Sequence, residues 1–129
     1  VQVYRVVSPR VKYQVVDSLG ERSATTALLG IAEQEVGKRL KETAIVRLGQ
    51  AGAREQLQRY YLRARDDLKE PIIRALVLAK AEDELIRIAQ TETDEAIQRQ
   101  ALTGLRLLGT AKARDFLEKR EIEKRRKNR

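Results

Sequence analysis

Apolar positions recur along this chain with a period of about 28–29 residues. The segment AIVRLGQAG, residues 44–52, shows the pattern most clearly. Four equivalent leucines mark the repeat: Leu19, Leu48, Leu76 and Leu105. Apolar residues also lie three, four and eight positions before each leucine. Because these spacings place side chains on one face of an α-helix, the pattern predicts one such helix, helix A, in each of four repeated units.

A second apolar pattern follows each helix A after a short turn. Its spacing of i, i+3 and i+4 is again helical and predicts a helix B. The three clear copies are Leu28/Ile31/Ala32, Leu57/Tyr60/Tyr61 and Leu85/Ile88/Ala89. The fourth copy is looser and contains Phe116 and Leu117, and we interpret its preceding turn, GTAKARD, as about three residues longer than the others. Together the patterns predict helices at residues 9–20, 23–35, 38–50, 53–64, 68–79, 82–91, 95–107 and 111–126.

Turn and capping residues agree with these helices. Four glycines lie at or near the ends of the A helices, where a residue often takes a positive φ: Gly20, Gly49, Gly52 and Gly109. Asp94 is expected to cap the free N–H groups of the helix that follows it. Pro71 is tolerated only near a helix start, so we expect its helix to begin near Asp67 or Leu68 and to place Pro71 in the first turn.

Composition favours a helical protein without catalytic chemistry. The 129 residues are 42% hydrophobic and 36% charged, with two prolines. The absence of Cys and His removes the usual zinc ligands, thiol nucleophiles and the commonest general base. The acidic clusters at residues 66–67 and 82–84 lie at helix starts, where the helix dipole favours negative charge. We therefore expect no enzymatic activity and no cofactor.

The ends of the chain bear on its context. No apolar run approaches the roughly 20 residues of a membrane span. The start, VQVYRVV, lacks the features of a signal peptide, and the chain contains no Met. We expect a fragment of a longer protein, located in the cytoplasm. Residues 117–129 hold seven basic and three acidic residues, and the whole chain carries a net charge of +8.

The repeated units resemble HEAT repeats, in particular the short form found in HEAT proteins related to phycobilisome lyases. The motif is an apolar–basic pair that opens helix A, followed by an Ala-Leu-Gly-x-Leu-Gly-like run at its end. Leu40-Lys41 and RLGQAG at 47–52 carry it in the second unit. In the fourth unit the run is GLRLLG at 104–109, and the pair reads Ile97-Gln98, with a neutral residue at the basic position. The third unit departs most, because ALVLAK at 75–80 lacks both glycines.

This resemblance implies an all-α fold, a right-handed superhelix, or armadillo-like solenoid, of about four HEAT-like helix pairs. The single domain would span residues 1–129, with units at about 8–36, 37–64, 65–92 and 93–129. In HEAT solenoids, helix B resembles the helix that lines the inner, concave surface.

Basic residues on the B helices form the candidate binding site. Two residues after the apolar anchors lie Arg59, Arg87 and Lys119, about 200° round the helix from the core. Arg63 lies one turn beyond Arg59. Such a ladder suits an acidic protein segment or a phosphate backbone. An ordinary solvated face is the alternative.

Two further sets of residues leave similar alternatives open. For the column Lys12, Lys41 and Lys69, the resemblance suggests packing or polar contacts between repeats, with ligand binding as the alternative. Tyr60 and Tyr61 are predicted to pack in the core with their hydroxyls at its edge, with a stacking platform for bases as the alternative.

The sequence as a whole favours a non-catalytic protein–protein interaction scaffold. The expected partner is another protein or an acidic peptide segment, bound along the helix B surface. The alternative is sequence-independent nucleic-acid binding through Arg59, Arg63, Arg87 and the C-terminal tail. The tail KRRK, residues 124–127, is interpreted as a solubilising cap, with a nucleic-acid or membrane-surface patch as its alternative.

Overall fold

A computed structural model describes residues 12, 14–15, 24–34 and 37–128. This part of the chain forms seven α-helices and no strand. The helices are α1 (Thr25–Gln34), α2 (Lys38–Gln50), α3 (Arg54–Arg63), α4 (Asp66–Leu78), α5 (Glu82–Thr91), α6 (Glu95–Leu108) and α7 (Ala111–Lys127). All seven begin and end within two residues of the predicted positions. The helix predicted at 9–20, with Leu19 and Gly20, lies almost entirely outside the described residues.

The helices form two rows, as their contacts show. In the A row, α4 lies between α2 and α6 and packs against both. In the B row, α1 packs against α3, and α5 packs against α7. The two rows pack on each other through consecutive helices along the chain. The fold of the described residues is therefore all-helical and repeat-like, with the predicted alternation of A and B helices.

The predicted anchor leucines lie in the centre of the core. Leu48, Leu76 and Leu105 are each 0% exposed. Fully burying a leucine side chain adds roughly 1.5–3 kcal/mol to the free energy of unfolding. These three leucines therefore contribute much of the stability of the A row. Tyr60 and Tyr61 are 4% and 6% exposed, which confirms their predicted place in the core.

Two A helices, α2 and α4, end in the same hydrogen-bonded turn. The residue after the C-cap takes a left-handed conformation, with a φ of +74° at Gly52 and +56° at Lys80. The N–H of this residue donates to the carbonyl three residues back, from Gly52 to Gly49 and from Lys80 to Val77, each at 3.0 Å. The next N–H donates to the carbonyl five residues back, from Ala53 to Leu48 at 3.0 Å and from Ala81 to Leu76 at 2.9 Å. This is the Schellman motif, in which glycine is the usual left-handed residue.

Lys80→Gly is expected to stabilise the protein, because the left-handed conformation of Lys80 costs about 1–2 kcal/mol for a residue with a Cβ. Part of the gain is offset by the greater flexibility of glycine in the unfolded chain. We expect the free energy of unfolding in urea to rise by about 0.5–1 kcal/mol. Lys80→Ala is the control, since it keeps the Cβ. Equal effects of the two substitutions would contradict this account of the turn.

The turn between α6 and α7 differs from the other two. Gly109, at φ +59°, makes a single bond from its N–H to the Leu105 carbonyl, at 3.2 Å. The turn spans residues 109–110, whereas the turns after α2 and α4 span three residues each. The prediction of a longer turn is therefore wrong, and the turn is one residue shorter. Its second residue, Thr110, caps α7 by accepting from the Ala113 N–H at 3.1 Å.

Gly49 does not cap a helix, contrary to its predicted role. It lies within α2 and is buried. A Cβ built there would lie 2.6 Å from the Ala75 carbonyl oxygen, so glycine permits the close approach of α2 and α4.

The starts of α6 and α4 agree with the predictions in one case and differ in the other. Asp94 accepts from the N–H groups of Ala96 and Ile97 at 2.9 and 3.4 Å, which confirms it as the cap of α6. In contrast, α4 begins at Asp66, so Pro71 lies in its second turn rather than its first. The Asp67 carbonyl then lacks a helical donor, and the exposed position of this residue lets water replace the bond.

Candidate binding site

Arg59 and Arg87 occupy equivalent positions on the outward side of the B row. They lie in α3 and α5, one repeat apart, and both are exposed. Neither forms an ion pair with any residue in the described part of the chain. The predicted offset from the core is thus correct for this pair, and both guanidinium groups remain available to a partner.

Arg63 and Lys119 differ from that pair. Arg63 forms an ion pair with Glu33 of α1. Lys119 lies 3.1 Å from Asp115, one turn earlier in α7. The register of α7 is set by Ala113, which is fully buried and takes the place that Leu57 and Leu85 take in α3 and α5. Asp115, not Lys119, is therefore equivalent to Arg59 and Arg87.

Ion pairs connect neighbouring helices of the B row. Glu33 of α1 pairs with Arg63 of α3. The remaining two pairs join Arg54 of α3 to Glu84 of α5, at 3.3 Å, and Asp83 of α5 to Lys112 of α7. The hydrogen bond from Lys112 holds the pKa of Asp83 below its usual value. Sequence reasoning missed these pairs, although opposite charges about one repeat apart were the available signal. The exposed pair of Asp83 and Lys112 adds little to stability, because solvent screens it.

A polar cluster lies where α3, α4 and α5 meet. The Glu92 carboxylate accepts from the Tyr61 hydroxyl and from the Lys69 ammonium, the latter at 3.2 Å. The Tyr61 bond, with help from Lys69, lowers the pKa of Glu92, while burial and the bond to Glu92 raise the pKa of Tyr61. Lys69 also lies 3.4 Å from Asp66. Asp66 and Glu92 belong to the same predicted unit as Lys69, so these ion pairs lie within a repeat. The contact of Lys69 with the preceding repeat is to the Tyr61 ring, whose centroid lies 5.4 Å from the ammonium.

The tyrosine rings are not available to stack on nucleic-acid bases. Tyr60 and Tyr61 are both buried, and each hydroxyl has a partner within the protein. The Tyr60 hydroxyl donates to the Ala32 carbonyl at 3.1 Å, and burial is the main cause that raises the pKa of Tyr60 to about 12. Base stacking needs exposed rings, so the structure contradicts the alternative interpretation of these residues.

An apolar groove runs between α4 and α6. It has a volume of about 470 Å³, and its walls include Ile73, Val77 and Leu107. Gly104 forms part of the same wall, where a Cβ would meet the Val77 side chain at 2.7 Å. The groove belongs to the A row and is separate from Arg59 and Arg87 on the B row.

Comparison of the chain with protein-family models, with curated proteins and with solved structures finds no match. Within the described residues there is no group of three or more acidic, His or Cys side chains able to hold a metal ion. Nor does any described helix combine the length and the apolar composition that crossing a bilayer requires.

Proposed function

We propose that this chain is a HEAT-like solenoid, a right-handed superhelix of helix pairs, that acts as a non-catalytic protein-binding scaffold. The two rows of helices support this proposal, because A helices pack side by side and B helices are joined by ion pairs about one repeat apart. In such an array each unit is stabilised by its neighbours and presents the same positions repeatedly along one surface.

Arg59 and Arg87 carry the proposal. The charges of Arg63, Arg54 and Lys112 on the same row are used in ion pairs within the protein. Arg59 and Arg87 form no such pair among the described residues, so both can attract an acidic segment, although the charge of Arg87 also acts on Asp83.

An exposed leucine defines the partner further. Leu62 lies three residues after Arg59 in α3 and is 74% exposed. Arginine is enriched at binding hot spots, and an exposed leucine gains from burial of its apolar surface under a partner. The net charge of +8 also favours encounter with acidic partners. The proposed ligand is therefore an acidic protein segment with apolar side chains, bound across α3 and α5.

Charge reversal at Arg59 and Arg87 tests the proposal. We expect a fluorescein-labelled peptide of Glu and Leu to bind the wild-type protein at low salt, as measured by fluorescence anisotropy. Arg59→Glu/Arg87→Glu replaces two attractions by repulsions, so binding should weaken at least about tenfold, or 1.4 kcal/mol. The matched control is Arg39→Glu/Arg114→Glu, which changes the net charge equally at exposed positions on other helices. An equal loss in both variants would overturn the proposal, because only net charge would then matter.

Nucleic acid is the other outcome of this test. Lys124, Arg125, Arg126 and Lys127 are exposed at the end of α7. Phosphate contacts release counterions, so binding would fall steeply with salt on a log–log plot. A labelled oligonucleotide that binds more tightly than the peptide, with such a slope, would replace the scaffold proposal by nucleic-acid binding.

A further inference from the structure

The C-terminal ends of α3 and α5 differ at one equivalent residue. Glu92 is the C-cap of α5, and Ala64 is the C-cap of α3, one repeat earlier. In the later unit, Glu92 accepts from the Lys69 ammonium at 3.2 Å and from the Tyr61 hydroxyl. The side chain of Glu92 is only 9% exposed in this arrangement. A carboxylate is thus an integral part of the structure at this place in the repeat.

The earlier unit has the cation but not the carboxylate. Lys41 is the fourth residue of α2, as Lys69 is the fourth residue of α4. Lys41 is partly buried and has no ion-pair partner among the described residues. The methyl group of Ala64 supplies no charge and leaves the space of a longer side chain unfilled.

A cleft of about 200 Å³ lies at this position. It is lined by Lys41, Ala64, Leu68, Tyr60, Arg63, Arg65 and Glu33. Glu33 neutralises Arg63 through their ion pair. Asp67 also acts on this region, since its charge contributes to the raised pKa of Tyr60. The three cations at the cleft, Lys41, Arg63 and Arg65, outnumber these two carboxylates, so the net charge there is positive. Lys41 contributes to this charge and forms no ion pair among the described residues.

We propose that this cleft binds a carboxylate from outside the described chain, which takes the place that the Glu92 carboxylate takes one unit later. The Lys41 ammonium donates to it, and Arg65 adds a second positive charge at the wall. Charge-assisted bonds of this kind are among the stronger hydrogen bonds in proteins. The site uses neither Arg59 nor Arg87, so it goes beyond the proposed function. A failure of one proposal would leave the other unaffected.

Acetate titrations followed by amide NMR test the site. At constant ionic strength set with chloride, the wild-type protein should show saturable shifts confined to residues around Lys41, Tyr60 and Ala64. Lys41→Gln should weaken acetate binding at least tenfold. Ala64→Glu should abolish it, because the new carboxylate pairs with Lys41 as Glu92 pairs with Lys69. Gln90→Glu, an exposed change of the same charge on α5, should leave it unaltered.

The opposite results overturn the proposal. Unchanged acetate binding in Lys41→Gln would show that Lys41 is not the cation involved, and this variant decides the matter if Ala64→Glu fails to fold. Non-saturable shifts in the wild type would equally exclude a defined site.

A second titration identifies the source of the carboxylate. N-acetyl-glutamate amide is compared with acetate, with inorganic phosphate and with the uncharged N-acetyl-glutamine amide. Tighter binding of the glutamate derivative than of acetate assigns the site to an acidic side chain of a partner, and equal binding assigns it to a free small carboxylate. Phosphate or the glutamine derivative binding most tightly would overturn the assignment to a carboxylate.

Discussion

Leu48→Asp is expected to unfold the protein around α2. Leu48 is 0% exposed in the core of the A row, and α2 packs against α1, α3 and α4. An unpaired carboxylate at this place should cost more than about 4 kcal/mol, a large part of the roughly 5–15 kcal/mol that stabilises a typical domain. The helical signal in circular dichroism should fall, and the urea midpoint should decrease or the transition should disappear.

Val46→Asp is the matched control for this variant. Val46 lies two residues away in the same helix and is 39% exposed, so a charge there remains hydrated. Its effect should stay within about 1 kcal/mol. If the two variants melt at the same temperature, the helical register that places Leu48 in the core is wrong.

Gly49→Ala is expected to destabilise the protein by about 2 kcal/mol. Glycine to alanine within a helix ordinarily stabilises by about 1 kcal/mol, so the predicted sign is opposite to the usual one. The reason is the backbone of α4, since the new Cβ would lie 2.6 Å from the Ala75 carbonyl oxygen and 2.8 Å from its Cα. Backbone atoms cannot move without shifting the whole helix, so α2 and α4 must separate. Urea denaturation measures the loss.

Gly104→Ala provides the comparison. A Cβ at Gly104 would meet a methyl group of Val77 at 2.7 Å, and a side chain can adjust more easily than a backbone. We expect Gly104→Ala to lower the free energy of unfolding by less than about 1 kcal/mol. In a chain that already carries Val77→Ala, the loss caused by Gly104→Ala should be smaller still. A stabilising effect of Gly49→Ala would contradict the close approach of α2 and α4.

The sequence predicted the helices well because their apolar faces are buried continuously. Leu48, Leu76 and Leu105 fill the core of consecutive units, so their spacing carries the length of the repeat. The cap at Asp94 was predictable because it depends on the helix that follows Asp94 directly. The burial of Tyr60 and Tyr61 was predictable because both lie at apolar positions of the helix B pattern.

The last turn was not predictable from that pattern. Its length depends on Ala113, which is fully buried but stands in a polar stretch. Alanine is also a strong helix former at exposed positions, so it gave no clear signal of burial. The larger Phe116 and Leu117 therefore dominated the interpretation, and Lys119 was assigned to the wrong position.

The candidate site was predictable only in part. The outward direction of Arg59 and Arg87 follows from their offset within one helix. In contrast, the pairing of Arg63 with Glu33 and the missing partner of Lys41 depend on the neighbouring helix. The same limit applies to Gly49, because a glycine that permits close packing and one that ends a helix give the same pattern within a single unit.

The length of α7 has a consequence for the order of its end. It contains 17 residues, whereas α1, α3 and α5 contain 10 each, so it extends about 10 Å further. Residues 121–127 are all exposed, and tertiary contacts add little to hold them. Their order is therefore governed by a local helix–coil equilibrium rather than by global unfolding. The four cations in the last turn of α7 favour the helical state, because they interact with the negative end of the helix dipole. Added salt screens this attraction, so it should shift residues 121–127 towards coil.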